Sequence, residues 1–296
     1  MRIRDVLEAF PGLDKDTFKE GYYKFTRNRF SVIGLSLVLI VIFLAVFAPF
    51  IAPYPQHASS YVNFKQTNQP PSWQHFCGTD LVGRDVFSRI IFAYRYSLVL
   101  ALTVLALVVP PGVLLGLLAG YYHGTWVDYT IMRITDVFLA VPPLILALAV
   151  TSVLGPSMTN AMMAVSLMWW PWYVRLVYGL VSSLRNETYV HSAQVIGASR
   201  FHILWREILP NCVSSVFTKM SLDVGWVIMV GAALSFVGLG AQSPTPDLGS
   251  MISDGAAFLP DSWWMSMFPS IGVLIAVLGF NLLGDGLRDL FALEEL

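Results

Sequence analysis

The protein has 296 residues, of which 56% are hydrophobic and only 12% are charged. A soluble domain is about 25% charged, so charge this sparse excludes a soluble globule of this size and makes the lipid bilayer the expected solvent. The net charge of −1 and the lack of a basic run in the sequence argue against nucleic acid as a partner.

Six apolar runs are long enough to cross a bilayer, which takes about 20 residues. They are Val32–Ala52, Ser97–Ala119, Val127–Val153, Met158–Ser183, Val213–Gly240 and Trp264–Gly284. Because a span must satisfy its own backbone hydrogen bonds, we predict an all-α, polytopic fold with about six transmembrane helices. The first run follows some thirty polar residues and lacks a small-x-small cleavage site, so we interpret it as a retained span rather than a signal peptide.

Lys and Arg residues indicate the orientation, since cytoplasmic segments carry their excess. With the N-terminus inside, residues 1–30 contribute seven, the long loop three and the tail one, against four outside. We therefore expect a cell-membrane protein with both termini in the cytoplasm. The predicted segments are a cytoplasmic N-terminal segment 1–30, a first transmembrane helix 31–53, an external loop 54–95, a five-helix core 96–286 containing a cytoplasmic loop 185–212, and a cytoplasmic tail 287–296.

The external loop is predicted to have two parts. Pro53–Pro71 is rich in Pro, Gln, Asn and Ser and should be extended. Gly83–Arg95 is predicted to form an interfacial amphipathic helix, because apolar residues recur there at helical spacing between charged ones. Cys77 and Cys212 are expected on opposite sides of the membrane, so we predict no disulfide between them.

Prolines lie inside three predicted spans, at Pro110–Pro111, Pro142–Pro143 and Pro171, and each is expected to kink or break its helix. Such kinks either mark a bundle that opens around a path or reflect the tolerance of proline in lipid. The cluster Trp169–Tyr173 also has two interpretations. It either lines a path for an organic substrate or packs span against span, and packing is favoured because the cluster covers all faces of a helix.

Arg133, Asp136, Arg175, Lys219 and Asp223 fall well inside predicted spans, where a charge costs about 2.5–3.5 kcal/mol and usually faces protein or water. Asp136 and Arg175 should lie at similar depth, roughly 12–14 Å from the cytoplasmic face, and are predicted to form a buried pair in a group that includes Arg133. That pair either locks the bundle or acts as a gate or substrate contact. Lys219 and Asp223, one turn apart near the interface, are expected to form a local solvated pair.

The polar loop Arg185–Asn211 is the most informative segment. Nearly thirty residues between adjacent spans indicate a loop that contacts another molecule. The sequence predicts a short helix, a tight turn at Gly197, a second short helix and a stop at Pro210. Small side chains at Ser192, Ala193 and Gly197 would allow another protein to approach closely, so we predict a docking element.

Five short sequence motifs occur in order along most of the chain. The loop block runs from Tyr189 to Gly197 and ends, after nine further residues, in Glu207-Ile208-Leu209-Pro210. The other blocks are Gly78-Thr79-Asp80 with Gly83-Arg84-Asp85 and Ser88-Arg89; Ala119-Gly120-Tyr121 with Asp128, Met132-Arg133 and Asp136; Leu234–Gly240 with Pro244 and Pro246; and Asn281–Asp289. Together they resemble the C-type permease subunits of dipeptide/oligopeptide/nickel ABC importers, and the loop resembles the EAA motif of that family.

The loop departs from the family pattern at its leading residues. His191 stands where the family has Glu, and Ser192 where it has Ala. Glu207 replaces the Ile of the Ile-x-Leu-Pro ending, and Leu248 replaces a Trp that often follows the Pro-x-Pro segment. The small helix is kept but its first carboxylate is not, although Glu187 lies one turn earlier.

The resemblance implies the MetI-like fold of type I ABC importer permeases and a role as half of the translocation pathway of an ATP-driven importer. Di- and oligopeptides are the default cargo, with oligosaccharides, nickel or glutathione as alternatives. The implied partners are a second homologous permease subunit, two ATPase subunits that bind ATP and Mg, and an extracellular solute-binding protein. The residues implied to couple to the ATPases are Tyr189, His191, Ser192, Ala193, Gly197, Leu209 and Pro210.

The sequence contains no Gly-x-x-x-x-Gly-Lys-Ser/Thr phosphate cradle, no Cys-x-x-Cys, no His-x-x-x-His and no Gly-x-Ser-x-Gly. We therefore expect no cofactor, metal site or catalysis on this chain, and interpret its five histidines as solvated loop residues. A secondary transporter or channel is the alternative class. A secondary transporter predicts inverted repeats and midplane acids, whereas Asp136 and Asp223 are both expected on the cytoplasmic side.

Overall fold

The computed structural model describes residue 23 and residues 25–291. In chain order its α-helices are α1 (Arg29–Val46), α2 (Ala48–Ile51), α3 (Val86–Tyr121), α4 (Trp126–Ala140), α5 (Pro143–Leu154), α6 (Met158–Leu184), α7 (Thr188–Val195), α8 (Arg200–His202), α9 (Leu209–Phe236), α10 (Leu248–Ala256) and α11 (Trp264–Phe291). A π-helical turn, Ile203–Ile208, joins α8 to α9, and 3-10 turns form at Pro55–Ala58 and Phe64–Gln66. No strand forms in this part of the chain, so the all-α prediction is confirmed.

Among the described residues, four helices are long and apolar enough to cross a membrane: Arg29–Val46, Val86–Tyr121, Arg200–Phe236 and Trp264–Leu290. The pair α4 and α5 adds a fifth crossing if the two count as one bent span. Helix α6 has 27 residues but is less apolar, because it carries Arg175 and several Trp and Tyr residues. The structure therefore confirms a polytopic helical protein, and the predicted number of six is approximate.

The helix predicted at Gly83–Arg95 is present from Val86, but it is not a separate interfacial helix, because it continues into α3. The chain forms a single helix of 36 residues from Val86, about 54 Å long, which exceeds the full thickness of a bilayer. Its first apolar stripe includes Ile91 and Tyr94, which are buried inside the protein. The stripe therefore packs against other helices of this chain instead of lying on the membrane surface.

The third predicted span, Val127–Val153, is broken in two. Val141 is extended, with φ −90° and ψ 129°, because a residue before proline is disfavoured in the helical region. Helices α4 and α5 consequently meet at 86°. By contrast, Pro110 and Pro111 lie inside α3, and Pro171 lies inside α6, without interrupting either helix.

The core is centred on α3, which packs along α6, while α11 packs against α1 and α9. Three glycines one turn apart on α3, at Gly112, Gly116 and Gly120, face α6. Without side chains between them, the two helices approach closely, as small residues allow in membrane proteins. The remaining helix surfaces of α1 and α11 carry exposed aliphatic and aromatic side chains, which suits contact with lipid.

Two buried histidines fix the loop predicted to be external, residues 54–85, to the start of α3. His57 Nδ1 accepts a hydrogen bond from the Asp85 backbone N–H at 2.8 Å, and His75 Nδ1 lies 2.8 Å from the Asp85 carboxylate. The same carboxylate accepts from the Ser88 N–H and so caps α3. Both rings are 2% exposed. The prediction of solvated histidines is therefore wrong for these two.

Candidate functional site: the loop 185–212 and a charged helix face

The loop predicted as a docking element contains a short helix, α7, closed by a Schellman turn. Gly197 has φ +83°, the left-handed conformation that glycine adopts without strain. Its N–H donates to the Gln194 carbonyl, and the Ala198 N–H donates to the Ala193 carbonyl, each at 3.0 Å. These two bonds satisfy carbonyls that the end of a helix leaves free. The predicted turn at Gly197 is thus present.

The apolar residues in and just after α7 differ in burial. Val190 and Ala193 are buried within the chain, in one cluster with residues of the following π turn. Val195 and Ile196 are 87% and 83% exposed, and Phe201 is 70% exposed. We call these three exposed apolar side chains the apolar tip; the Phe201 ring lies 5.8 Å from the ring of Trp205 in the π turn. Exposed apolar clusters commonly mark interaction sites.

The predicted small-residue face is only partly open. Ser192 is exposed, and its hydroxyl donates to the Thr188 carbonyl at 2.8 Å. Gly197 is also open, since a Cβ added there would meet no atom within 4 Å. Ala193, however, packs α7 onto its own chain. Sequence reasoning missed the apolar tip, although two adjacent apolar residues before the turn glycine were the available signal.

Helical structure does not end at Pro210. The prediction of a second short helix that stops there is therefore wrong. Helix α8, the π turn and α9 form one continuous helical run, Arg200–Phe236. Pro210 lies in the first turn of α9, where its missing N–H and bulky ring are tolerated. The preceding turn is widened, and the Leu209 N–H donates to the Leu204 carbonyl five residues back.

Side chains tie the loop to α9. The Asn211 amide donates to the Tyr189 hydroxyl at 3.3 Å and to the Glu207 carbonyl at 2.6 Å. His191 is exposed and Leu209 is partly buried. The loop is therefore connected to the helix that follows it through the side chain of Asn211.

Asp136 of α4 and Arg175 of α6 form the predicted ion pair. Asp136 lies ten residues after the start of α4 and Arg175 nine before the end of α6, each about 15 Å along its helix. The pair is not buried as predicted, since the two side chains are 44% and 52% exposed. Arg133 does not join it. Its guanidinium lies over the Tyr129 ring at 5.0 Å instead.

These charges lie on one surface of α4 and α6, which we call the charged face. Tyr129, Arg133 and Asp136 line a groove of about 390 Å³ along α4, and Gly179 extends the exposed surface on α6 beyond Arg175. Charges this far along a membrane-spanning helix are costly against lipid, so we expect water or protein to cover the charged face.

Lys219 and Asp223 of α9 form a pair at 2.8 Å, but it is not the solvated pair that the sequence predicted. Asp223 is only 1% exposed, whereas Lys219 is 28% exposed. The Lys219 ammonium also lies 5.7 Å from the centre of the buried Tyr173 ring on α6. The pair therefore sits between α6 and α9, because its one-turn spacing points both side chains toward α6.

Most side chains of the aromatic cluster Trp169–Tyr173 pack against other parts of the protein. Trp169 and Tyr173 are buried, and Trp170 meets Phe138 of α4 edge to face at 5.4 Å. Trp172 is 42% exposed. The favoured interpretation, packing of span against span, fits these residues, while Trp172 faces outward.

The sequence matches two family models. Residues 112–293 match the binding-protein-dependent transport system inner membrane component. The chain belongs to this family. Residues 17–71 match the N-terminal transmembrane domain of oligopeptide transport permease C. The protein is therefore a transport permease subunit with the MetI-like fold and a multi-pass membrane protein.

Full-length relatives agree with this assignment. A dipeptide transport system permease protein of Alkalihalophilus pseudofirmus is 39% identical over 92% of this chain and 88% of its own length. A glutathione transport system permease protein of Pectobacterium atrosepticum is 40% identical over 92% and 89%. A di/tripeptide transport system permease protein of Pseudomonas aeruginosa is 37% identical over 92% and 90%. The similarity thus covers nearly the whole length of each.

Proposed function

We propose that this permease forms half of the translocation pathway of an ATP-driven, binding-protein-dependent importer of short peptides. The apolar tip is the observation that carries the proposal, because Val195 and Ile196 are exposed at the end of α7 and Phe201 is exposed on the helical run that continues into a membrane span. The names of the relatives support peptides as cargo and keep glutathione, itself a peptide, within the class.

The proposed partners are a second homologous permease, two ATPase subunits carrying ATP and Mg, and an extracellular solute-binding protein. The charged face supports a second permease, since a half-exposed ion pair at membrane depth needs an aqueous path enclosed by protein. The apolar tip supports an ATPase, since it lies on the loop expected in the cytoplasm. In this orientation both termini are cytoplasmic, as the Lys and Arg distribution indicates.

In the proposed mechanism, closure of the ATPases on ATP moves α7, and the loop carries the motion into the membrane. Two links transmit it. The hydrogen bond from Asn211 to Tyr189 joins α7 to α9, and the continuous run through the π turn joins the loop to the same span. The result is rigid-body switching between an outward-open and an inward-open path.

Site-specific cross-linking tests the docking step. In a complex assembled with its partners, Ile196→Cys should cross-link to an ATPase subunit, because that side chain is almost fully exposed. Lys65→Cys, in the external loop, is the matched control and should not. The native Cys77 and Cys212 are buried and should contribute little background.

Transport by the same complex in liposomes tests the function. Dipeptide uptake should require ATP, both ATPases and the binding protein. Uptake driven by an ion gradient without the ATPases would establish a secondary transporter instead. If no cysteine at 192, 194, 195 or 196 cross-links to an ATPase, the docking proposal is wrong.

A further inference from the structure

We propose that Arg133, Asp136 and Arg175 form a transient binding site for the charged ends of a peptide in transit. The ligand class is a short peptide with a free α-ammonium and a free α-carboxylate. This inference rests on the proposed function, because it names the chemistry by which the charged face contacts cargo.

The exposure of Asp136 and Arg175 distinguishes a binding site from an ion pair that only holds two helices together. A pair that only fixed two helices would best be shielded from competing ligands, as Asp223 is at 1% exposure. Asp136 and Arg175 instead leave about half of each side chain open, at 44% and 52%. Both charges can therefore be reached by a second charged group.

Arg133 is available to a ligand. It makes no ion pair within the described residues and rests over the Tyr129 ring. Asp128, the other carboxylate that lines the groove, is engaged by His123 and by the Gly124 N–H. A guanidinium binds a carboxylate through two parallel hydrogen bonds, and the groove of about 390 Å³ beside Arg133 and Asp136 provides room for it.

The spacing fits a short peptide. Arg133 and Asp136 are three residues apart on α4, so their Cβ atoms are about 5–6 Å apart. The ends of an extended dipeptide are about 7 Å apart. Arg133 would hold the carboxylate while Asp136 turns from Arg175 to the ammonium.

Release follows from the same exchange of partners. When the peptide leaves, Asp136 and Arg175 can pair again, so neither charge is left without a partner in the membrane. The re-formed pair competes with the cargo and keeps its binding weak. A pathway needs such a site, because tight binding would slow passage.

A charge swap separates cargo binding from helix locking. Assembly is measured as the yield of complete complex, and transport as ATP-dependent uptake of a labelled dipeptide into liposomes. Asp136→Ala should reduce both. The double change Asp136→Arg with Arg175→Asp should restore assembly but leave uptake at least about tenfold low, which corresponds to about 1.4 kcal/mol. Recovery of both assembly and uptake by the swap would mean that the pair is only a lock.

A substitution of Arg133 provides a second test of the binding site, since Arg133 is outside the ion pair of Asp136 and Arg175. Arg133→Gln should lower uptake by about tenfold, whereas the control Lys65→Gln, in the external loop, should not. Normal uptake by Arg133→Gln would overturn the inference while leaving the permease function intact. Loss of ATP-dependent uptake in the unmodified complex would instead refute the proposed function.

A photoreactive dipeptide with free ends identifies the contact directly. Diazirine cross-links should map to residues 129–136 and 172–179 during turnover. A complex that transports this probe but cross-links only elsewhere would refute the site. So would a cross-link joining Arg133→Cys to the second permease in every state, since the face would then be a subunit interface.

Discussion

Gly116 of α3 lies directly against Val177 of α6, and a Cβ added to the glycine would be 2.7 Å from the Val177 Cβ. Added Cβ atoms at Gly112 and Gly120 would meet Tyr173 and Val181 at 2.6 and 2.7 Å. No real Cβ fits at such distances. The glycine stripe therefore sets the separation of α3 and α6, and through α6 it sets the position of Arg175.

We expect Gly116→Ala to destabilise the purified complex by about 1–3 kcal/mol, as overpacking of a close helix contact does. A thermal unfolding curve in detergent measures the loss. Gly179→Ala is the matched control, because an added Cβ there meets nothing within 4 Å. Adding Val177→Ala should relieve part of the loss. Equal melting temperatures for the two single variants would contradict the close contact.

The sequence predicted the features that depend on local pattern. Apolar runs located most of the long helices, and the small residues before Gly197 located α7 and the turn that closes it. The burial of individual side chains was harder to predict, because it depends on which helices pack against each other. Asp223 was expected in solvent and is buried against α6, whereas Asp136 was expected in the interior and is half exposed. Depth along a helix follows from residue counting, but the direction of a side chain follows only from packing.

Thiol labelling should establish the orientation if it uses introduced cysteines. Lys65→Cys should react with a membrane-impermeant maleimide in intact cells, and Ile196→Cys only after permeabilisation. Cys77 is a poor reporter, because burial, with a smaller contribution from Asp85, raises the pKa of its thiol to about 12. Its reactive thiolate is therefore scarce at pH 7–8. Labelling of Ile196→Cys from outside would reverse the proposed topology.

The external loop should lose stability as the pH falls. Burial is the main cause that lowers the pKa of His57 below 6.5; His75 and Arg84 lower it further, and Asp85 and Asp80 oppose them. A folded-state pKa below the unfolded value means that folding disfavours the proton. The stabilisation is therefore complete above about pH 6.5 and declines as the pH falls through that value.

Thermal unfolding between pH 7.5 and pH 5.5 measures this effect. His57→Asn keeps an acceptor for the Asp85 N–H but cannot titrate, so its melting temperature should decline less over that range. His202→Gln, in the loop between α6 and α9, is the control. The same decline in the unmodified protein and in His57→Asn would show that His57 is not the responsible group.

The pair of Lys219 and Asp223 should show strong coupling. Lys219→Met leaves a carboxylate that is 1% exposed without its cation, which costs about 3–5 kcal/mol for a buried pair. The double change Lys219→Met with Asp223→Leu should be milder than Lys219→Met alone. Complex yield and melting temperature measure both. Additive losses would show that the two residues do not act as a pair.

Gly197 should matter for coupling rather than for folding. With φ +83° and open space around an added Cβ, a side chain there meets only backbone strain of about 1–2 kcal/mol, and less for Asn. We expect Gly197→Asn to retain uptake. Gly197→Val should remain inserted and expressed but lose uptake and substrate-stimulated ATP hydrolysis, because the strained turn displaces the apolar tip from the ATPase.

Gly155→Val is the matched control, since Gly155 has φ +88° and equally open surroundings but lies in the turn before α6. If both valine variants transport normally, or both lose expression, the turn has no specific role in coupling.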